Sequence, residues 1–183
     1  YTLRVNGVII VKNDISFETI SKDILSNKKF QRIKTQRHHG ITRMDHTLRV
    51  AKYVYEISKK LNLDYESATR AALLHDFFID EEYGDIKGAS KLVVHPDIAL
   101  VNSKGEFEIN AIVENAIQSH MFPMNKTLPR YKESWVLTAV DKGVALFECL
   151  VYKFSCVKLT RQLKTQMNLA AIMLFYVITM GRK

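Results

Sequence analysis

RAALLHDFFID, residues 70–80, sets an imidazole beside a carboxylate in the middle of an apolar helical run. Ala71, Ala72, Leu73 and Leu74 read as a buried helical face, and Phe77, Phe78 and Ile79 resume it after His75 and Asp76. A carboxylate buried without a partner costs several kcal/mol. Some other part of the chain must therefore meet this pair.

The surrounding sequence has the apolar spacing of helices. Phe17, Ile20, Ile24 and Leu25 predict a first helix over 17–25, and Val50, Tyr53, Val54, Ile57 and Leu61 predict a long one over 43–61. His46 lies one turn before Val50 and so points into the core. Asp64 is suited to cap a helix over 65–79 that contains the opening stretch. Further helices are expected over 88–94, from Pro96 at a first helical position to a break at 103–106, over 110–118 leading to His120, and over 133–152 containing Asp141. A last helix spans roughly 158–180. Before all of these, two β-prone runs flank Asn6-Gly7, a hairpin signal. The expected architecture is an all-α bundle forming one domain over 16–183, with residues 1–15 as a small appendage.

Composition agrees with one globular unit. The chain has 183 residues, 47% hydrophobic and 25% charged, with only seven Gly and three Pro, which leaves no linker-like or low-complexity tract. A formal net charge of +8 points to an anionic partner, and eight basic residues stand against two acidic ones between Lys22 and Arg49. A solvated basic face is the plainer account of that run. A nucleotide or other phosphorylated substrate is the sharper one, and nucleic acid is disfavoured because no aromatic-basic or zinc-finger module accompanies the charge. Cys149 and Cys156, seven residues apart on a helix, are too far apart to pair, which is the pattern of reduced cytoplasmic thiols. The apolar run from Asn168 to Met180 falls short of a bilayer span, so no membrane partner is expected, and this last helix is a candidate homo-oligomer contact.

Four polar groups fall on otherwise buried helical faces: His46, His75, Asp76 and Asp141. Each alone has an ordinary explanation, a core His bonded to a carbonyl or an Asp capping a neighbouring helix. As a set, three helices bring imidazole and carboxylate donors inward together, which suits Mn, Fe, Zn, Ni or Co better than Ca.

The order His46, then His75-Asp76, then Asp141 on a late apolar helix resembles the HD-domain superfamily of metal-dependent phosphohydrolases. RHHGITRMDHTLRVA, AALLHDFF, HPDIAL, SHMFP and RYKESWVLTAVDKGVALFE are similar to segments of small bacterial HD proteins, and the likeness runs roughly from Lys34 to Glu148. It implies that His46, His75, Asp76 and Asp141 hold one metal, with Asp76 able to bridge to a second. Two-metal HD proteins carry two more His between the doublet and the last Asp, where this chain has His95 and His120. The resemblance thus implies one or two divalent transition-metal ions, with Mg as a further candidate. The signature of cyclic-dinucleotide phosphodiesterases is missing, so that activity does not follow. Outer or loop positions suit His38 and His39.

The implied reaction is hydrolysis of a phosphoester of a nucleotide or other small phosphorylated metabolite. A divalent metal lowers the pKa of bound water from about 15.7 towards roughly 7 and polarises a phosphoryl oxygen. Besides Asp76, Asp80 is a candidate for proton transfer, against the plainer reading of an acidic helix end, and Glu81 beside it is another. Arg43, Lys126, Arg130 and Lys132 are candidates to hold phosphate oxygens. Two other functions share the pattern: a mixed-valent di-iron oxygenase with the same six donors, and a degenerate HD domain used for binding.

Overall fold

The structure, a computed structural model, describes residues 2–5, 8–11, 14–38, 41–88 and 90–155. The helix expected over 158–180, the oligomer contact assigned to it, the Asn6-Gly7 turn, His39 and Cys156 lie outside the described residues. Strands β1 (Thr2–Val5) and β2 (Val8–Val11) pair antiparallel, and β3 (Arg37–His38) pairs with β4 (Ile41–Thr42) in a second short hairpin. The rest is helical: α1 (Phe17–Ser26), α2 (Arg43–Lys60), α3 (Tyr65–Leu74), α4 (Ser90–Glu106), α5 (Ala111–Ser119) and α6 (Lys132–Ser155). The all-α expectation holds.

Local chemistry sets the helix starts. Thr42 Oγ1 accepts from Asp45 N at the head of α2, Asp64 Oδ1 from Ser67 N at α3, and Asn110 Oδ1 from Val113 N at α5. Each satisfies one of the amides that a helix N-terminus leaves without a partner.

Packing places α3 at the centre, in contact with α1, α2, α5 and α6, while α6 also packs on α2 and α5. Ala68, Ala71 and Ala72 are fully buried on α3. Their small side chains let neighbouring helices approach closely, and Leu73, Leu74, Val50, Ile117 and Leu137 fill the space between. Burying each Leu or Ile removes apolar surface from water for roughly 1.5–3 kcal/mol. Phe30 and Ile33, on a short 3-10 turn at Phe30–Thr35, close one end of this core.

Two boundaries differ from the sequence expectation. Helix α3 stops at Leu74 rather than continuing to Ile79, so His75 and Asp76 sit on the turn that closes the helix. The amide of Phe77 bonds Leu74 O and that of Phe78 bonds Asp76 O, while the Phe78 carbonyl is taken by Arg43 from α2. The second difference is α4, one continuous helix with Pro96 inside it in place of two helices with a break at 103–106. Pro96 lacks the N–H that Leu92 O would accept. Packing of Ala99 and Leu100 into the core holds the helix through that position.

Candidate metal centre

Helices α2, α3, α4, α5 and α6 all deliver donors to one buried place. His46 comes from the first turns of α2, His75 and Asp76 from the end of α3, His95 from α4, His120 from the end of α5 and Asp141 from the middle of α6. All six are buried, with His46 and His75 at 0% exposure. Their ligand atoms form two triplets, His46, His75 and Asp141 in one and Asp76, His95 and His120 in the other, with the atoms of each triplet within 4.8 Å of one another. Asp76 joins the two: its Oδ2 lies 3.8 Å from His75 Nε2, and its Oδ1 lies 3.5 Å from His95 Nε2 and 4.0 Å from His120 Nε2.

The hydrogen bonds fix which ring nitrogen faces inward. His75 Nδ1 donates to Ala72 O at 2.7 Å, His120 Nδ1 to Ile117 O at 2.7 Å and His95 Nδ1 to Lys91 O at 3.1 Å. A carbonyl only accepts, so each proton is on Nδ1 and each Nε2 lone pair points into the cluster. His75 Nε2 is buried with no hydrogen-bond partner, and the Nε2 atoms of His95 and His120 face each other at 2.9 Å. Two lone pairs at that distance repel unless a cation lies between or beside them. His46 follows the same logic with a carboxylate: Nδ1 donates to Glu148 Oε2 at 2.8 Å, leaving Nε2 3.1 Å from Asp141 Oδ1.

The protonation preferences record this demand for positive charge. Burial alone would lower the His46 pKa, but hydrogen bonds to Asp141 and Glu148 outweigh it and raise the value to about 10. At His75 burial is likewise outweighed, by the negative charge of Asp76 and then by Asp141. Asp141 is held well below the usual carboxylate range; burial opposes this, and its hydrogen bond to His46 and the nearby His75 imidazole, 3.5 Å away, prevail. In the second triplet burial wins, pushing His95 down and His120 to about 3, the latter helped by its neighbours His95 and His75. Helices α3 and α5 both end at the cluster, and helix C-termini carry partial negative charge. Inward lone pairs, two carboxylates and two negative helix ends fit divalent cations bound by imidazole and carboxylate.

The supporting shell was less legible in sequence. Glu148 fixes His46 and is itself bonded by Arg49 Nη1 at 2.7 Å. Its signal is spacing, since it lies seven residues, two turns, after Asp141 on the same helical face. Lys142, next to Asp141 on α6, donates from Nζ to His120 O at 2.7 Å and so braces the end of α5.

Two expected site residues are used differently. Arg43 is buried, its Nη1 bonded to Phe78 O at 2.8 Å and its Nη2 to Asp80 Oδ1 at 2.9 Å, with its guanidinium 3.9 Å above the Phe78 ring. Buried, and with Nη1 and Nη2 both bonded to the segment after the doublet, it acts there as a strut. Asp80 is its half-exposed partner and belongs to neither donor triplet. Lys126, Arg130 and Lys132 are exposed on the segment that leaves His120.

Comparison with known proteins matches an HD-domain family model to residues 43–146. The chain belongs to the HD-domain family. It is 28% identical over 123 residues to Ribonuclease Y of Ureaplasma parvum serovar 3, covering 67% of this chain and 24% of that protein. It is also 32% identical over 126 residues to Ribonuclease Y of Mycoplasma capricolum, covering 66% of this chain and 22% of the relative. The corresponding protein of Mycoplasma mycoides is 31% identical over 126 residues, 66% of this chain and 26% of that one. The chain thus spans about a quarter of the length of the curated relatives it matches. No solved structure matches it. HD-family membership and the buried His and Asp groups together support a metal-dependent hydrolase, and among the described residues no helix is long and apolar enough to cross a membrane.

Proposed function

We propose that this HD protein holds two divalent transition-metal ions and hydrolyses a phosphoester of a nucleotide, either free or within RNA. The observation that carries this reading is the pair of buried donor triplets with the Asp76 carboxylate between them. His46, His75 and Asp141 would hold one ion, His95 and His120 the other, and Asp76 would bridge. When bound, the ions supply acidified water and neutralise charge on the phosphoryl oxygens.

The chain's residues do the rest. Glu148 and three backbone carbonyls keep the imidazole protons on Nδ1, so that every Nε2 stays available as a donor. Burial of the six donors keeps competing water away from them. Hydrolysis forms a P–O bond from water and breaks the ester P–O bond, the departing oxygen taking a proton. Lys126, Arg130 and Lys132, exposed on the segment that leaves His120, would meet the remaining phosphate charge as the substrate approaches. Lack of a recognisable binding module weighed against nucleic acid in the sequence. Similarity to proteins named as ribonucleases now weighs for it.

The test is a phosphoester panel containing mononucleotides, dinucleotides, cyclic dinucleotides and short RNA, run on manganese-loaded protein. The expected result is release of phosphate or a shortened nucleotide, abolished by His75→Ala. The same six donors serve the di-iron oxygenase reading, so iron-loaded protein is also followed for oxygen consumption and by EPR. Oxygen uptake without hydrolysis would replace this proposal.

A further inference from the structure

The segment that leaves His120 combines exposed cations with exposed apolar side chains. Between Met121 and Trp135 it carries Lys126, Arg130 and Lys132, all exposed, together with the exposed apolar side chains Met124, Leu128 and Trp135. Its one acidic residue, Glu133, is buried, with Oε1 accepting from Asp64 N at 3.0 Å. The outward charge of the segment is therefore wholly positive.

Trp135 is the chain's single tryptophan and is 48% exposed, on the first turns of α6. The Phe122 ring meets it edge to face, with centroids 5.6 Å apart, and so buttresses the indole while part of it stays open. The segment is also tied down. Asn115 on α5 donates to Leu128 O and accepts from Arg130 N at 2.8 Å, and Asn125 donates to Gln118 O at 2.6 Å. An exposed aromatic on the same segment as three exposed cations, with the segment's backbone tied to α5, has the make-up of single-stranded nucleic-acid sites, in which bases stack on rings and lysines or arginines follow the phosphates.

We infer that residues 121–135 form a docking surface for single-stranded RNA, with a base stacked on Trp135 and backbone phosphates met by Lys126, Arg130 and Lys132, leading the strand towards His120. The inference deepens the phosphohydrolase reading by naming the polymer and its seat. Charge complementarity commits the surface to a polyanion, the indole selects a base-bearing strand over a structureless anion, and the similarity to ribonucleases favours RNA over DNA.

The single tryptophan makes the test direct. Polyuridylate is titrated into the full chain in the presence of chelator, which suppresses cleavage, and both anisotropy of the labelled RNA and tryptophan emission are read. The expected results are binding with quenching of the emission, and no quenching by heparin or inorganic phosphate. Trp135→Ala should weaken binding about tenfold and Trp135→Phe should retain most of it, since stacking contributes about 1–3 kcal/mol per base. Replacing Lys126, Arg130 and Lys132 by Gln together should lower the salt slope by about 2, at roughly 0.7 per single-strand phosphate contact. Binding without quenching would overturn the stacking assignment. Absence of binding at low salt would overturn the inference, while His75-dependent ester hydrolysis would leave the proposed function standing. Conversely, RNA binding with quenching in a protein that hydrolyses no ester would retain the surface and remove the enzyme.

Discussion

His95 and His120, 25 residues apart in sequence, bring their Nε2 atoms to 2.9 Å while both Nδ1 atoms are committed to backbone carbonyls. Neither ring has a proton to give the other. Burial drives His120 down to about 3 and lowers His95 as well, so protonation does not relieve the contact near neutral pH. A metal ion does, and the predictions below follow from that requirement.

Glu148 should control affinity at the first triplet although it belongs to neither. It holds the proton of His46 on Nδ1 at 2.8 Å. Removing such an outer carboxylate typically weakens metal binding 10- to 100-fold. Glu148→Ala should show that loss in chelator competition, and Glu148→Gln should lose less, because its amide oxygen still accepts from Nδ1. Equal affinity in wild type and Glu148→Ala would break the link between Glu148 and the site.

Metal affinity should rise with pH between about 7 and 9. His46 in the metal-free fold is raised to about 10 from an ordinary 6.5, so a proton must leave before Nε2 can ligate. The proton lost from His46 gives about a tenfold gain in affinity per pH unit over that window, and a proton lost from His75, which is also raised, adds to it. The raised His46 value stabilises the metal-free fold fully below pH 6.5, and this contribution is lost as pH rises towards 10. The gap in melting temperature between loaded and metal-free protein should therefore widen from pH 7 to 9. A constant gap would contradict the assignment of His46.

Arg43→Met should destabilise the fold and disturb the second triplet together. It removes the donor from the buried Phe78 carbonyl and the cation above the Phe78 ring, and that ring packs at 5.3 Å on His95. Leaving a buried carbonyl unsatisfied costs about 1–3 kcal/mol. Urea unfolding should show that loss, and metal titration should show a weaker second ion. A stability loss with unchanged metal binding would confine Arg43 to scaffolding.

The parts of the fold set by local chemistry were legible. Apolar spacing located α1, α2, α5 and α6 to within a few residues, and Asp64 was recognisable as the cap of α3. The end of α3 was not. Phe77, Phe78 and Ile79 continue the helical pattern, but the Phe77 amide takes Leu74 O, the Phe78 amide takes Asp76 O and the Ile79 amide takes the Glu82 carboxylate, with Arg43 from α2 holding Phe78 O. Pro96 misled in the opposite direction, because core packing carries α4 through a residue that locally argues for a start. At the site, His46, His75, Asp76 and Asp141 stood out because buried His and Asp are rare on apolar faces, whereas His95 and His120 were suggested only by the resemblance to two-metal HD proteins; the fold groups all six. Glu148 and Lys142 were not legible, since a charged residue on a long helix reads as solvated until its partner is known.

The most direct test of the two-ion cage is metal counted per chain by mass spectrometry of inductively coupled plasma, on protein saturated with manganese and then desalted. The account predicts two ions in the wild type, one in the His95→Ala/His120→Ala double variant, and a folded helical spectrum for both. One ion in each protein would show that His95 and His120 ligate nothing, and would contradict the central claim.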